Sequence, residues 1–246
     1  MVDHLSFSSI TTYLSCPRSW KFKYIEDQPK KTSTALAFGS AFHETVEKYV
    51  LRTEETDIKA LWTTAWGNQA KKVTLDEGDT FEGMQNEGIR MFTSPKVLYE
   101  INAIQPPREI EFAVKLTVPG VPVPIIGYID IIGQDGIPGD FKTSSKRWGD
   151  DKAANSLQPL FYLAALNQMG IQTPMKFRHY VFIKTKEPNT QMIDTDFKPA
   201  NVLFLFSLIQ NVWKSISADA FHENPDGWLC SETYCDFWKL CKGRFV

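Results

Sequence analysis

The first part of the chain places its hydrophobic residues three or four positions apart, the spacing of an amphipathic helix. Ser6 precedes the first such run, and a serine in that position accepts hydrogen bonds from free backbone amides. The pattern predicts helices that begin at Ser6, break at 16–18 and resume through 20–25, followed by helices over 36–52, 58–72 and 80–92. Glycines soften the boundaries of the last two, and we interpret 53–105 as a helical insertion.

From residue 108 onward the pattern changes to that of strands. Residues 109–116 alternate between polar and apolar, as a half-exposed strand does, whereas 123–132 is apolar on both faces and predicts a buried central strand. The remaining elements predicted are a strand over 137–143, a helix over 153–169, a strand over 175–184 and a long apolar helix over 196–216. This order predicts an α/β fold with a mixed central sheet flanked by helices, not a doubly wound one.

The second and third predicted strands form a hairpin that carries two aspartates and a lysine. Residues two apart on a strand share a face, so Asp140 and Lys142 point the same way. A three-residue loop over 134–136, with Gly136 in the left-handed conformation, would pair Asp130 with Asp140 and bring all three side chains to one face. Two carboxylates beside a lysine predict a divalent-metal site for phosphodiester hydrolysis.

Composition and charge narrow the possible classes of function. Of the 246 residues 43% are hydrophobic, which is enough for a sizeable core. The net charge is −2, so the chain does not have the excess of basic residues that is typical of proteins that bind nucleic acid through their overall charge. Contacts with nucleic acid would therefore depend on local basic clusters. No apolar run is long enough to span a membrane and the start does not resemble a signal peptide, so we expect a cytoplasmic protein. The chain lacks a glycine-rich phosphate loop and a nucleophile elbow, which argues against a nucleoside triphosphatase or a serine hydrolase.

The four cysteines lie at the two ends of the chain. Cys16 stands alone near the start, and Cys230, Cys235 and Cys241 follow one another near the end. In a reducing compartment, four cysteines indicate a metal site or reactive thiols rather than disulfides. Four thiolates fit either a tetrahedral zinc ion or an iron–sulfur cluster. Buried free cysteines are the third interpretation.

Six short motifs follow one another along nearly the whole chain. They are the opening helix with Cys16, the Gly-Ser-Ala-Phe-His segment at 39–43, Gly-Tyr-Ile-Asp at 127–130, Asp-Phe-Lys-Thr at 140–143, Gln-Pro-Leu-Phe-Tyr at 158–162, and the closing cysteines. In this order they resemble the PD-(D/E)XK nuclease superfamily, specifically its RecB-like branch with a four-cysteine iron–sulfur cluster. That branch includes CRISPR adaptation nucleases, AddB-type helicase–nuclease subunits and phage exonucleases. One departure is that four residues separate Cys230 from Cys235, where family members commonly have two.

The resemblance implies a restriction-endonuclease-like core and a role for each motif. It implies four ligands for Mg²⁺ or Mn²⁺: His43, Asp130, Asp140 and the backbone carbonyl of Phe141. Lys142 would orient or deprotonate the attacking water and help to stabilise the pentacovalent phosphorus. Gln158 and Tyr162 lie one helical turn apart on the same face and would contact DNA near the scissile phosphate.

The same resemblance implies that the four cysteines bind a 4Fe-4S cluster, with zinc as the alternative, and that the cluster ties the two ends of the chain together. It predicts a single nuclease domain over 1–246, in which 1–35 and 221–246 form the iron–sulfur subdomain and 106–220 the catalytic core. Basic residues lie beside the cysteines at both ends of the chain: Arg18, Lys21, Lys23, Lys239, Lys242 and Arg244. We therefore expect the subdomain to grip the DNA backbone, with Trp20 or Trp238 stacking on unpaired bases.

Together these features predict a metal-dependent DNA nuclease, and more narrowly an exonuclease that acts at DNA ends or on single strands in recombination, repair or phage DNA metabolism. DNA is the expected partner, and a helicase, a recombinase or a single-strand-binding protein is a further possible partner. We expect no interaction with a membrane. The expected setting is the cytoplasm of a bacterial or phage-infected bacterial cell. One alternative is a nuclease that trims DNA ends for CRISPR adaptation within a complex. Another is a non-catalytic DNA-binding module held together by zinc.

Overall fold

The structure is a computed structural model that describes residues 2–104 and 106–245. These residues form two compact units, each assembled from segments that are distant in the chain. The first unit contains the described residues of 1–31, 114–127 and 199–246, and the second contains those of 32–113 and 128–198. The subdivision expected from the sequence, with 1–35 and 221–246 together, 53–105 and 106–220, divides the chain differently and stays a prediction.

The helices and strands are as follows. The helices are α1 Phe7–Ser15, α2 Pro17–Tyr24, α3 Thr34–Val50, α4 Ile58–Ala70, α5 Phe81–Thr93, α6 Pro95–Ala103, α7 Asp150–Ala154, α8 Gln158–Gln168 and α9 Pro199–Ser217. The strands are β1 Leu5–Ser6, β2 Glu109–Leu116, β3 Ile125–Ile132, β4 Pro138–Ser144, β5 Lys176–Ile183 and β6 Asn189–Asp196. A 3-10 turn covers Lys242–Phe245. The predicted helices and strands are thus present, but β1, α6 and β6 were not predicted.

The first unit is organised by its opening helix and by aromatic packing. Ser6 caps α1, since its hydroxyl accepts a hydrogen bond from the Ser9 amide at 3.0 Å, and Leu5 of β1 pairs in parallel with Ile125 of β3. Trp20 of α2 is completely buried and stacks on Phe221, with ring centroids 5.6 Å apart. The prediction that Trp20 stacks on an unpaired base is therefore wrong, because its indole is part of the hydrophobic core.

The second unit contains a mixed sheet in which strands pair in the order β3-β4-β5-β6. β3 with β4 and β5 with β6 are antiparallel, β4 with β5 is parallel, and β2 also pairs with β3. The edge strand β6 is mostly polar and its burial alternates, so the sequence contains no apolar run that predicts a strand there. The helix predicted over 153–169 begins later in the structure, as α8 at Gln158, because Pro159 lacks an amide hydrogen and fits only the first turn. The short helix α7 ends at Ala154 and was not predicted as a separate element.

The hairpin between β3 and β4 has the predicted three-residue loop. Gly133 donates a backbone hydrogen bond to the carbonyl of Ile137 at 3.0 Å, and Gly136 donates one to Gly133 at 2.9 Å. Gly136 has a φ of 75°, the left-handed conformation that glycine adopts without strain. The side chain of Asp135 accepts a hydrogen bond from the Ile137 amide at 3.1 Å. The loop therefore sets the phase of β4 against β3 as predicted.

Aromatic packing fixes helix α3 against one face of this sheet. Phe42 of α3 contacts Phe182 of β5 and Phe92 of α5, with ring centroids 4.9 and 4.7 Å apart. The opposite face is covered by α8, whose Tyr162 stacks on Phe177 of β5 with centroids 5.8 Å apart. His43 follows Phe42 directly in the chain, so this packing determines where the imidazole lies.

Candidate active site

The two predicted catalytic aspartates lie where the backbone pairing of β3 with β4 ends. The paired residues are Ile132 with Pro138 and Ile131 with Gly139. At the next position the Asp130 carboxylate accepts the hydrogen bond of the Phe141 amide, with Oδ2 2.7 Å from the nitrogen. The two acidic side chains are thus brought together on one sheet face by residues that are close in sequence.

Asp140 is held by two side chains of the second unit, Lys142 and Gln158, and Gln158 in turn contacts Tyr162. Its side chain is only 2% exposed, and Lys142 Nζ lies 2.5 Å from its Oδ2. Gln158 Nε2 donates to the other oxygen, Oδ1, at 3.1 Å, and lies 3.0 Å from the hydroxyl of Tyr162. Gln158 and Tyr162 therefore act on Asp140 through the start of α8. Their predicted contact with DNA stays a prediction.

His43 reaches the same site from helix α3. Its Nδ1 is 3.4 Å from Oδ2 of Asp130, and the backbone of Phe141 is a hydrogen-bond partner of the ring. Burial lowers the pKa of His43 to about 4, so the imidazole is neutral at physiological pH and has a lone pair for a metal ion. The structure thus brings His43, Asp130 and Phe141 together, as the sequence motifs imply.

The site carries a concentrated negative charge. Burial and the neighbouring charge of Asp140 raise the pKa of Asp130 well above its usual value, and Lys142 offsets only part of this effect. Two adjacent carboxylates repel each other unless a proton or a cation lies between them. A bound cation would relieve this repulsion and restore the ionised form.

The donor groups suit a hard divalent cation. Two carboxylates, a backbone carbonyl and a neutral imidazole match the ligand preferences of Mg²⁺ and Mn²⁺. Within residues 2–104 and 106–245, however, no three His, Cys, Asp or Glu side chains lie close enough together to hold an ion as they stand. In this site Lys142 is paired with Asp140 Oδ2, a buried oxygen that accepts no well-oriented hydrogen bond. The residues fit the ion chemically, and binding requires Lys142 to give up this oxygen.

Two further ionisable residues near the aspartates were not identified from the sequence. Glu111 of β2 has a φ of 47°, and burial together with the charges of Glu47 and Asp140 raises its pKa. His179 of β5 is the backbone pairing partner of Asp140 and is buried, which lowers its pKa to about 4. The signals were a carboxylate on a strand that neighbours β3, and a histidine within an apolar strand.

The four cysteines line a single cavity of the first unit. Its volume is about 240 Å³, and Cys16, Cys230, Cys235 and Cys241 all contribute to its wall as free, partly buried thiols. Burial raises the pKa of Cys235 and Cys241, and neighbouring cysteines raise both further. The structure therefore places together four potential ligands from opposite ends of the chain.

Comparison with known proteins agrees with this arrangement. The family model of the PD-(D/E)XK nuclease superfamily matches residues 4–242. The chain belongs to this superfamily. Its members are nucleases, and DNA hydrolysis with divalent metal ions is the chemistry that membership implies.

A solved structure shares the fold of this PD-(D/E)XK chain. A protein of Eubacterium rectale described as a "putative exonuclease" is 12% identical with a TM-score of 0.61, and the match covers 94% of this chain and 86% of that one. The protein SSO0001 is 14% identical over 96% of this chain and 98% of that one, but its TM-score of 0.39 is too low to support a structural argument. A search of curated proteins finds no match. None of the helices in the described ranges is long and apolar enough to cross a membrane.

Proposed function

We propose that this PD-(D/E)XK protein is a Mg²⁺- or Mn²⁺-dependent deoxyribonuclease that works as an exonuclease at DNA ends or on single strands. The observation that carries the proposal is the convergence of Asp130, Asp140 and Lys142 with His43 in one half-buried site. The description of the Eubacterium rectale protein favours an exonuclease, although that comparison by itself concerns the fold.

The residues divide the chemistry between them. Asp130, Asp140, His43 and the Phe141 carbonyl would hold a divalent ion, which when bound polarises the phosphoryl oxygen and acidifies water. Gln158 orients the Asp140 carboxylate through its hydrogen bond to Oδ1. Lys142 carries its ammonium on a flexible stem that is 33% exposed, so once released from Asp140 it can reach a phosphate or a water molecule.

Cleavage of end-labelled DNA tests this function. Single- and double-stranded oligonucleotides are incubated with Mg²⁺, with Mn²⁺ or with EDTA, using the wild-type protein and Lys142→Ala. We expect metal-dependent release of products from the ends by the wild type only. No cleavage with either metal, or cleavage that is unaffected by Lys142→Ala, would refute the proposal.

We also propose that the four cysteines bind a 4Fe-4S cluster. What supports this proposal is that Cys16, from one end of the chain, lines the same cavity of about 240 Å³ as the three cysteines from the other end. Protein purified without oxygen should be brown with broad visible absorption, and Cys16→Ser should lose the colour. A colourless protein that contains stoichiometric zinc would support the alternative site.

We also propose that the region around the four cysteines contacts DNA. Lys239 and Lys242 flank Cys241, and Lys242 lies 5.3 Å from the ring of half-buried Trp238, the side chain that we propose contacts a base. We propose that the protein acts in recombination, repair or phage DNA metabolism in a bacterial cytoplasm. Its partner there would be a helicase, a recombinase or a single-strand-binding protein. End trimming within a CRISPR adaptation complex would use the same residues.

A further inference from the structure

We propose that Tyr128 is the stacking platform for the base next to the scissile phosphate, and that it gives the enzyme a preference for unpaired strand ends. The inference rests on the proposed nuclease function, and it gives a substrate-positioning role to a residue of the Gly-Tyr-Ile-Asp motif that the sequence analysis left without one. Its basis is the position and exposure of one aromatic side chain beside the carboxylates.

Tyr128 shares a sheet face with the catalytic residues. It lies two positions before Asp130 on β3, so both side chains project from the same face. Two residues span about 7 Å along a strand, which is within reach of a nucleotide whose phosphate is at Asp130. The register of the hairpin adds Asp140 and Lys142 to that face.

The exposure of this face increases with distance from the two aspartates, of which Asp130 is 13% and Asp140 2% exposed. Asp140 is buried beneath Gln158, and the adjacent part of β5 is covered by Tyr162, which stacks on Phe177. Lys142 is 33% exposed, and Tyr128 is 57% exposed. Helix α8 therefore covers one side of the site, and the side on which Tyr128 stands is exposed to an approaching strand.

The tyrosine ring has no structural task in the described part of the chain. The Tyr128 side chain takes part there in no hydrogen bond, ion pair or ring contact, whereas its neighbours Ile129 and Ile131 on the other face are completely buried. A phenol on a strand beside a phosphate-binding site offers a flat apolar face to a base. Stacking of this kind tolerates any sequence, because every base has a π-face.

The test combines variants of Tyr128 with strands that lack one base. Tyr128→Ala should lower kcat/KM on single-stranded DNA by roughly 5- to 150-fold, chiefly through a higher KM, since one base–aromatic contact is lost. Tyr128→Phe and Tyr128→Trp should keep activity within about threefold because they retain a ring. On a strand with an abasic position next to the cleaved bond, wild type and Tyr128→Ala should be equal. Tyr99→Ala is the matched control, because Tyr99 is a 72% exposed tyrosine of α6 in the same unit, and it should behave like the wild type.

Each result decides the proposal. Unchanged kinetics of Tyr128→Ala, an equal loss in Tyr128→Phe, or the same loss on the abasic strand would overturn it. If the wild type itself does not cleave DNA, the nuclease proposal fails separately. Binding of fluorescent strands by Lys142→Ala, followed by anisotropy with Mg²⁺, then still tests the platform. Tyr128→Ala in that background must weaken binding of the intact strand and not of the abasic strand.

Discussion

The ion pair between Lys142 and Asp140 should contribute to the stability of the metal-free protein, and Lys142→Met tests this. The substitution removes the charge and keeps a long unbranched side chain. It leaves the Asp140 carboxylate, 2% exposed, without a cation, while Gln158 still donates to it. Removing one partner of a fully buried pair costs about 3–5 kcal/mol, and an exposed pair about 0–1 kcal/mol. Because Lys142 is 33% exposed, we expect a loss of about 2 kcal/mol.

Thermal unfolding in EDTA at pH 7 measures this loss. For a chain of this size, about 2 kcal/mol corresponds to a decrease in Tm of roughly 4–8 °C. Asp140→Asn removes the buried charge, so adding Lys142→Met to Asp140→Asn should cost less than about 0.5 kcal/mol. The control is Lys48→Met, which breaks a 2.7 Å pair with Glu44 on the surface of α3 and should cost at most about 0.5 kcal/mol.

A Tm of Lys142→Met within 1 °C of the wild type would refute this reasoning, as would a coupling energy below about 0.5 kcal/mol in the double-mutant cycle. The pair also competes with a metal ion for Asp140 Oδ2. Mg²⁺ should therefore raise the Tm of Lys142→Met by more than it raises the Tm of the wild type, even though we expect this variant not to cleave DNA.

Three other substitutions have defined outcomes. Asp130→Asn should stabilise the metal-free protein at pH 7, because burial and Asp140 raise the pKa of Asp130. The carboxyl stabilises the fold below its unfolded pKa of about 3.9, and this contribution is lost as the pH rises through the raised pKa of the folded state. The difference in Tm from the wild type should therefore shrink towards pH 4, and a pH-independent difference would contradict the assignment. Gln158→Leu should lower metal affinity or kcat roughly 10- to 100-fold with an unchanged fold, because Asp140 loses the hydrogen bond that orients it; isothermal titration with Mn²⁺ and cleavage assays would show no change if Gln158 were only a helix-terminal residue. Gly136→Ala should lose about 1–2 kcal/mol in urea unfolding because its φ is 75°, whereas Gly67→Ala within α4, where an added Cβ meets nothing, should gain up to about 1 kcal/mol.

The hairpin at the centre of the site could be predicted because its determinants are local. A loop closed by Gly136 and the two-residue period of strands are enough to put Asp130, Asp140 and Lys142 on one face. Edge strand β6 could not be found in the same way, because its polar residues become a strand only by pairing with β5. The basic residues around Trp20 likewise suggested a ring that contacts DNA, whereas packing on Phe221 buries it.

The sequence by itself determined the register of the catalytic hairpin and which of its side chains share a face, since both depend on residues within a few positions of one another. The tertiary structure decided what those residues contact. Packing of Phe42 carries His43 to Asp130, the start of α8 places Gln158 on Asp140, and the same helix leaves Tyr128 uncovered. These contacts join segments that are far apart in the chain, so they follow from how helices bury their apolar faces on the sheet and cannot be derived from local periodicity.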